Sequence, residues 1–178
     1  GKDFSSNDYL GLSRSPYLKQ VAQNAIADGI AHGSGGSRLL GGNHPEHEAL
    51  ESFAASHYGA ESSLFFGSGF AANVALFATL PQTGDLVLHD EYVHASVHDG
   101  MKLGRAESRI AAESLYSMDG DRAPLAELAR TADIHDAILV IDEAHAVGVY
   151  GNGGIGLSGD LGHRENVIIL RTFGKALG

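Results

Sequence analysis

The chain has 178 residues, a hydrophobic share of 43% and a formal net charge of -10 at pH 7. This length predicts one domain or the bulk of one, and the scattered basic residues argue against a nucleic-acid surface. No apolar run could cross a bilayer, the first residues do not resemble a signal segment, and no cysteine is present, so a cytoplasmic protein without membrane contacts, disulfides or thiolate chemistry is expected.

Two helices are predicted in the first third of the chain. Ser15 and Pro16 suit the N-cap and first position of a helix whose apolar residues recur at helical spacing, so we expect this helix to face the core. A second helix is predicted from near Pro45 to a C-cap at Gly59. Its residues expected to be buried are Ala49, Leu50, Phe53 and Ala54.

Short apolar runs alternate with helical stretches in the rest of the chain. Strands are predicted at 63–66, 85–88, 137–141 and 167–170, and helices near 70–80, 95–103 and 124–130. Strands buried on both faces form continuous Val, Ile and Leu runs, so the predicted class is α/β, with a largely parallel sheet flanked by helices. In such sheets ligands bind beyond the carboxyl ends of the strands.

Reactive groups follow these predicted strands. The groups expected at one edge of the sheet are Asp142, His145, Lys175, His94 and a glycine-preceded helix start at Gly69 and Phe70. A helix N-terminus offers N–H groups to a phosphate, a lysine can form a Schiff base with an aldehyde, and an aspartate can keep a pyridine nitrogen protonated. The set therefore predicts a site for pyridoxal 5'-phosphate. No metal site is predicted, because His44 and His47 have no matching third ligand.

Paired motifs make a more specific prediction. Asp-Glu-Ala-His-Ala-Val-Gly at 142–148 and Thr-Phe-Gly-Lys-Ala-Leu-Gly at 172–178 resemble the signature of the α-oxoamine synthases, a family of pyridoxal-phosphate enzymes. Further matches in the family's order lie at 5–12, 35–38, 69–73, 94–96 and 117–121. The resemblance implies the large domain of a fold type I enzyme. Such an enzyme condenses an amino acid with an acyl thioester, on CoA or a carrier protein, with loss of CO2, and acts as a homodimer.

The resemblance also implies a role for each matched residue. Lys175 would bond to the cofactor, Asp142 would pair with its pyridine nitrogen, and His94 would stack on its ring, which makes these three the expected catalytic residues. The other implied contacts are His145 near the ring oxygen, Gly69, Phe70 and Thr172 at the phosphate, Ser117 beside the cofactor, and Asn7 at the substrate. From the residues alone, His94 also fits a core histidine and Ser117 a turn serine.

Two other functions share parts of these patterns. Residues 141–145 also fit the DEAH motif of nucleic-acid-dependent ATPases, but that function needs an earlier phosphate loop of the form G-x-x-x-x-G-K-[ST], which the sequence lacks. Residues 151–156 fit the G-x-G-x-x-G pattern of dinucleotide-binding domains. No helical pattern follows them, so a glycine loop is the better interpretation.

The alternation of strands and helices breaks between Ile110 and Ala111. No apolar strand precedes the motif that begins at Ser117, so a strand, a helix and a further strand are expected to be missing at this point. The resemblance implies such a segment and also a smaller domain after Gly178 that supplies an arginine for the substrate carboxylate. The chain is therefore expected to be an incomplete large domain.

Overall fold

A four-stranded parallel sheet organises the chain. The computed structural model describes residues 3–104 and 108–178. The strands lie side by side in chain order: β1 (Leu86–His89), β2 (Ser108–Glu113), β3 (Leu139–Asp142) and β4 (Val167–Leu170). Every neighbouring pair is parallel, which confirms the predicted α/β class.

Five helices accompany this sheet in the described part of the chain. They are α1 (Pro16–Ala27), α2 (Pro45–Tyr58), α3 (Gly69–Thr79), α4 (Ala95–Leu103) and α5 (Leu125–Ile134). Ser15 Oγ accepts the N–H of Leu18 at 3.4 Å and caps α1, and Gly59 ends α2 in the left-handed conformation, both as predicted. Residues 151–156 hold only a 3-10 turn, which confirms the glycine loop. None of the described helices has the length and apolar character needed to cross a membrane.

Side chains of β3 alternate between two apolar clusters. Val140 packs with Phe77 of α3 and Val97 of α4 on one face of the sheet. Leu139 and Ile141 pack on the other face against a cluster that α5 contributes. This alternation follows from the two-residue period of a strand, and it directs Asp142 to the same face as Val140, toward α3 and α4.

Three expectations about residues 16–66 are wrong. Residues 63–66 form no strand; Glu51 of α2 holds the segment instead, through a 2.8 Å hydrogen bond from the N–H of Phe65. Helix α1 has no buried residue, since no described element covers its apolar side. Helix α2 has none either, and Phe53 is 62% exposed.

The absence of a strand at 110–111 is also a wrong expectation, because β2 runs through these residues. It pairs with β1 on one side and β3 on the other. Ala111 and Ala112 are buried there, at 3% and 5% exposure, although they are small. The neighbouring strands and helices bury these residues. A run of larger apolar side chains would have indicated a buried strand from the sequence, but two alanines did not.

Gly100 lets α4 lie close against α3, and an alanine there should weaken the fold. A Cβ at position 100 would come within 2.8 Å of Phe77 Cβ and 3.0 Å of the Asn73 carbonyl oxygen. The helices would have to move apart, so Gly100→Ala should lower the free energy of unfolding by roughly 1–3 kcal/mol. Denaturant titration measures this change.

Gly33→Ala is the matched control for this substitution. A Cβ at position 33 would meet no atom within 4 Å. Its free energy of unfolding should stay within about 0.5 kcal/mol of the parent value. Equal losses in the two variants would show that close helix packing at Gly100 is not the cause.

Candidate active site

Asp142 ends β3, and each oxygen of its carboxylate has a hydrogen-bond donor. Asn73 Nδ2 donates to Oδ2 at 2.9 Å, and the backbone N–H of Ala144 donates to Oδ1 at 2.9 Å. Asn73 comes from α3 and is only 2% exposed. Its amide also donates to Ser96 Oγ at 3.1 Å. The carboxylate is therefore fixed in one orientation by the helix packed over the sheet.

His94 precedes α4 and joins the same network. Its Nδ1 accepts the backbone N–H of Ser96 at 3.2 Å and lies 2.7 Å from Ser96 Oγ. Since Ser96 Oγ already accepts from Asn73, its own proton is free to go to His94 Nδ1. The Phe70 ring meets the His94 ring edge-on, with centroids 6.3 Å apart. A continuous hydrogen-bond chain thus links His94 to Asp142.

Lys175 begins a second chain of hydrogen bonds. Its Nζ lies 2.8 Å from His145 Nε2, and His145 Nδ1 lies 2.7 Å from the Tyr9 hydroxyl. Tyr9 in turn donates to Asn7 Oδ1 at 3.1 Å. If Lys175 donates, His145 Nε2 accepts, so the imidazole proton resides on Nδ1 and points to Tyr9. The N-terminal segment is thereby tied to the lysine.

Burial shifts the acidity of both partners in that chain. Desolvation lowers the pKa of Lys175, although the charges of Asp142 and Glu113 oppose the shift. Desolvation, followed by the positive charge of Lys175, lowers the pKa of His145 to about 4, with Asp142 opposing. His145 is consequently neutral near pH 7 and can accept from the lysine.

The N-terminus of α3 lies beside the end of β4. Ser68 caps the helix, while the first N–H groups, including those of Gly69 and Phe70, have no acceptor within it. A Cβ on Gly69 would lie 3.7 Å from Leu170 Cδ2, so the helix starts against the last residue of the strand. Thr172 follows two residues later. These groups form an edge suited to an anion.

Glu113 ends β2 directly beside Asp142. Burial and the charge of Asp142 raise the pKa of Glu113 to about 7, while Lys175 and the backbone N–H groups of Ser117 and His94 oppose the rise. The residue is 3% exposed, and its Oε1 has no hydrogen-bond partner in the part of the chain that the structure describes.

Glu143 holds the loop between β3 and β4. Ser114 Oγ donates to its Oε2 at 2.8 Å, as does the N–H of Leu157 at 3.0 Å, and the N–H of Ser158 donates to Oε1. Arg171 Nη2 donates to Ser158 Oγ at 3.1 Å. This fully buried carboxylate therefore braces the segment just before Lys175 rather than facing the candidate site.

Five of the predicted site residues lie in these two hydrogen-bond networks: Asp142 and His94 in one, and Lys175, His145 and Asn7 in the other. Asn7 is exposed, and so is Ser117, whose backbone N–H lies near Glu113, the register partner of Asp142. Within residues 3–104 and 108–178, no cluster of three or more His, Cys, Asp or Glu side chains is placed to hold a metal ion.

The structure adds residues that had been given no role: Asn73, Ser96, Tyr9 and Glu113. Asn73 could have been suspected, because it is the only amide in the apolar helix α3. Ser96 and Tyr9 lie inside motifs that match the family, but nothing in the sequence indicated which residues they would contact. Glu113 was missed because the strand that ends with it was not recognised.

Comparison with known proteins gives a consistent set of relatives. The sequence model of the aminotransferase class I and II family matches residues 2–112 and 106–178. An 8-amino-7-oxononanoate synthase of Emericella nidulans is 40% identical over 218 residues, covering 98% of this chain and 52% of that protein. The enzyme of the same name from Chlorobaculum parvum is 40% identical over 206 residues, with 98% and 53% coverage. The chain spans about half the length of these curated relatives.

Solved structures agree with the sequence relatives. Serine palmitoyltransferase of Sphingomonas wittichii matches with a TM-score of 0.88 and 31% identity, over 97% of this chain and 49% of that one. The 8-amino-7-oxononanoate synthase of Francisella tularensis matches with a TM-score of 0.78 and 28% identity, over 98% and 55%. A further serine palmitoyltransferase structure, with a TM-score of 0.88 and 29% identity over 97% of this chain and 50% of that one, holds pyridoxal phosphate.

His145 should remain neutral between about pH 5 and 8, because burial and Lys175 lower its pKa to about 4. Imidazole NMR spectra should therefore show no titration of this ring in that range. The unfolded chain binds more protons at His145 than the folded one does, so stability from this group is lost as pH falls from 6.5 toward 4. A His145 midpoint near 6.5 would contradict the predicted environment.

Two lysine variants test whether the charge of Lys175 contributes to the low pKa of His145. Lys175→Met should raise the His145 midpoint, since the positive charge that lowers its pKa is removed. Lys102→Met is the control, because this lysine is 74% exposed and pairs with Asp99 on α4. The control should leave the His145 midpoint where it is in the parent.

Proposed function

This chain belongs to the aminotransferase class I and II family and, within it, to the α-oxoamine synthases, and on that premise we propose that it forms the cofactor-binding part of a pyridoxal-phosphate-dependent acyltransferase. The reaction proposed is the decarboxylative condensation of an amino acid with an acyl thioester. The observation that carries the proposal is the half-buried Lys175, hydrogen-bonded at 2.8 Å to a neutral histidine and electrostatically coupled to the buried Asp142.

The residues present fit this cofactor. Lys175 would bond to the aldehyde carbon, and the Asp142 carboxylate would pair with the pyridine nitrogen. The N-terminus of α3 and Thr172 would bind the phosphate. His94, which hydrogen bonds link to Asp142, would stack on the face of the cofactor ring. When bound, the cofactor withdraws electrons from the α-carbon of the amino acid.

Each of these residues then has a defined task. Asp142 would hold a proton on the pyridine nitrogen of a bound cofactor, and Asn73 fixes the orientation of this carboxylate. Lys175 would be the base for the α-proton of the amino acid, and the lowered pKa of this lysine favours the neutral amine that a base requires. His145 accepts from Lys175 and positions Nζ. Asn7, at the end of the Tyr9 chain, is proposed to face the substrate.

We propose L-alanine and a pimeloyl thioester, on CoA or a carrier protein, as the substrates, which would place the protein in biotin biosynthesis. Support comes from the relatives named 8-amino-7-oxononanoate synthase and from the motifs at 36–43 and 69–73, which most resemble that enzyme. A serine palmitoyltransferase type is the second candidate, because those structures match with TM-scores of 0.88. Glycine C-acetyltransferase and 5-aminolevulinate synthase are alternatives of the same family.

We also propose that the whole protein contains more than these 178 residues. The alignments with relatives extend over 218 and 206 positions, more than this chain has, which supports an omitted segment. The family model matches in two parts that meet at residues 106–112, which supports its place near 110–111. A smaller domain after Gly178 is proposed to supply the arginine for the substrate carboxylate. A homodimer and a cytoplasmic location complete the proposal.

Borohydride reduction after addition of pyridoxal phosphate tests the cofactor assignment. Reduction should fix the cofactor on Lys175, and peptide mapping should find the label there. Label on Lys2, Lys19 or Lys102 instead would refute the assignment. The intact mass of the same sample reports on the omitted segment, which a mass near 18.6 kDa together with full condensation activity would rule out.

Asp142→Asn should remove most of the activity while keeping the fold, because a neutral amide cannot stabilise a protonated pyridine. Exchange of the substrate's α-proton with D2O, followed by NMR, should slow roughly a hundredfold to a thousandfold. Asp99→Asn, at a half-exposed carboxylate on α4, is the control and should exchange at the parent rate. Normal exchange in Asp142→Asn would mean that another group holds the nitrogen.

A further inference from the structure

Two carboxyl groups lie side by side at the ends of β2 and β3. Glu113 and Asp142 are register partners on adjacent parallel strands, which are typically about 4.8 Å apart. Ala111 and Val140, two residues earlier on each strand, belong to the same apolar cluster against α3 and α4. By the two-residue period, both acids point to that face as well. Two negative charges this close and this buried are unfavourable, so one group should hold a proton.

Two buried acceptors in this region have no donor in the described chain: Glu113 Oε1 and Asn73 Oδ1. Both residues line one small cavity of about 10 Å³, roughly the room for one water molecule, together with Asp142. Phe77 and Val93 close its apolar side. Unpaired polar atoms inside a protein are costly, which makes a donor between these two oxygens necessary.

The hydrogen-bond inventory identifies that donor. The amide nitrogen of Asn73 donates to Ser96 Oγ and Asp142 Oδ2. The remaining polar atom, Asn73 Oδ1, can only accept a hydrogen bond. With Glu113 ionised, a water in the cavity would have to supply both oxygens, and the adjacent buried carboxylates of Glu113 and Asp142 would then both be charged, which is unfavourable. A protonated Glu113 has one O–H, and a single hydrogen bond from it, direct or passed through one water, supplies Asn73 and uses the free oxygen of Glu113.

We propose that Glu113 is a proton-carrying positioning residue whose neutral carboxyl donates across this cavity toward Asn73 Oδ1 and so fixes the amide that aims Asp142. The role rests on the proposed function, because Glu113 acts on the cofactor only through Asp142. This role requires no contact of Glu113 with substrate or cofactor.

The groups that face Glu113 are consistent with a carboxyl that keeps its proton up to about pH 7. Burial and then the charge of Asp142 from β3 raise the pKa of Glu113 to about 7, and Lys175 after β4 lowers it. The backbone N–H groups of Ser117 and His94 also lower it, and Tyr116 lies close enough for its own pKa to be raised by Glu113. The donor is thus present at acidic and neutral pH and is lost as pH rises through about 7.

Carboxyl 13C NMR of the intact protein without cofactor tests the proposal directly. One glutamate signal, assigned by its disappearance in Glu113→Gln, should titrate near pH 7 rather than near the ordinary 4.5. Glu127→Gln, an exposed glutamate on α5, is the matched control and should leave that signal in place. A Glu113 midpoint near 4.5 would overturn the proposal.

Cofactor affinity distinguishes a positioning residue from a space-filling one. Glu113→Gln retains an N–H donor for Asn73 and should bind pyridoxal phosphate within a few-fold of the parent, whereas Glu113→Leu fills similar space without a donor and should bind roughly tenfold more weakly or worse. The cofactor absorbance band should also lose a pH-dependent component near 7 in Glu113→Gln. Equal affinities of the two variants, or an unchanged pH profile, would contradict the role.

Different results would refute the proposed function and the role of Glu113. Absence of any cofactor band in the parent protein would refute the proposed function, while the carboxyl titration, measured without cofactor, would still decide whether Glu113 holds a proton. A Glu113→Leu variant that does not fold leaves the titration and the Glu113→Gln pH profile as the deciding measurements.

Discussion

The parallel register of β2 and β3 is the constraint on which the rest of the site depends. It pairs Glu113 with Asp142 at the ends of the two strands, and the N–H of Ser114 donates to the carbonyl oxygen of Asp142 at 2.9 Å. The side-chain alternation then separates two acids that are adjacent in sequence. Asp142 turns to the helices α3 and α4, while Glu143 turns to Ser114 and the loop that follows β3. Asp142 thus faces the candidate site, and Glu143 braces the loop.

Helix packing converts that edge of the sheet into a site. Because α4 lies close against α3, Asn73 and Ser96 meet and carry a hydrogen-bond chain from His94 to Asp142. The same helix α3 presents its N-terminus beside the end of β4, where Lys175 follows. A single helix therefore contributes both the group that orients the carboxylate and the N–H groups suited to a phosphate, so their spacing is fixed by one rigid element.

The sequence predicted the elements with strong local patterns and missed those that depend on context. The β4 run of Val and Ile and the bounds of α4 were predicted correctly, and so was the place of Asp142 and Lys175 at the ends of β3 and β4, while the roles of these two residues stay predictions. Residues 63–66 have the same apolar character but no neighbouring strand to pair with, so they form none. The opposite happened at Ala111 and Ala112, whose small side chains become strand residues only because β1 and β3 flank them. Glu113 was lost with that strand, since its position depends on register and not on any motif.

Charge balance ties these features together. Asp142 and Glu113 are buried and Lys175 is half-buried, and a buried charge is tolerated only when it is paired. Before a ligand binds, with His145 neutral and Glu113 protonated, a protonated Lys175 faces one negative aspartate. Ionisation of Glu113 would leave two negative charges for a single lysine, and a charged His145 would place a second cation beside it. The neutral states of the histidine and the glutamate therefore preserve a one-to-one pairing of charge between Lys175 and Asp142.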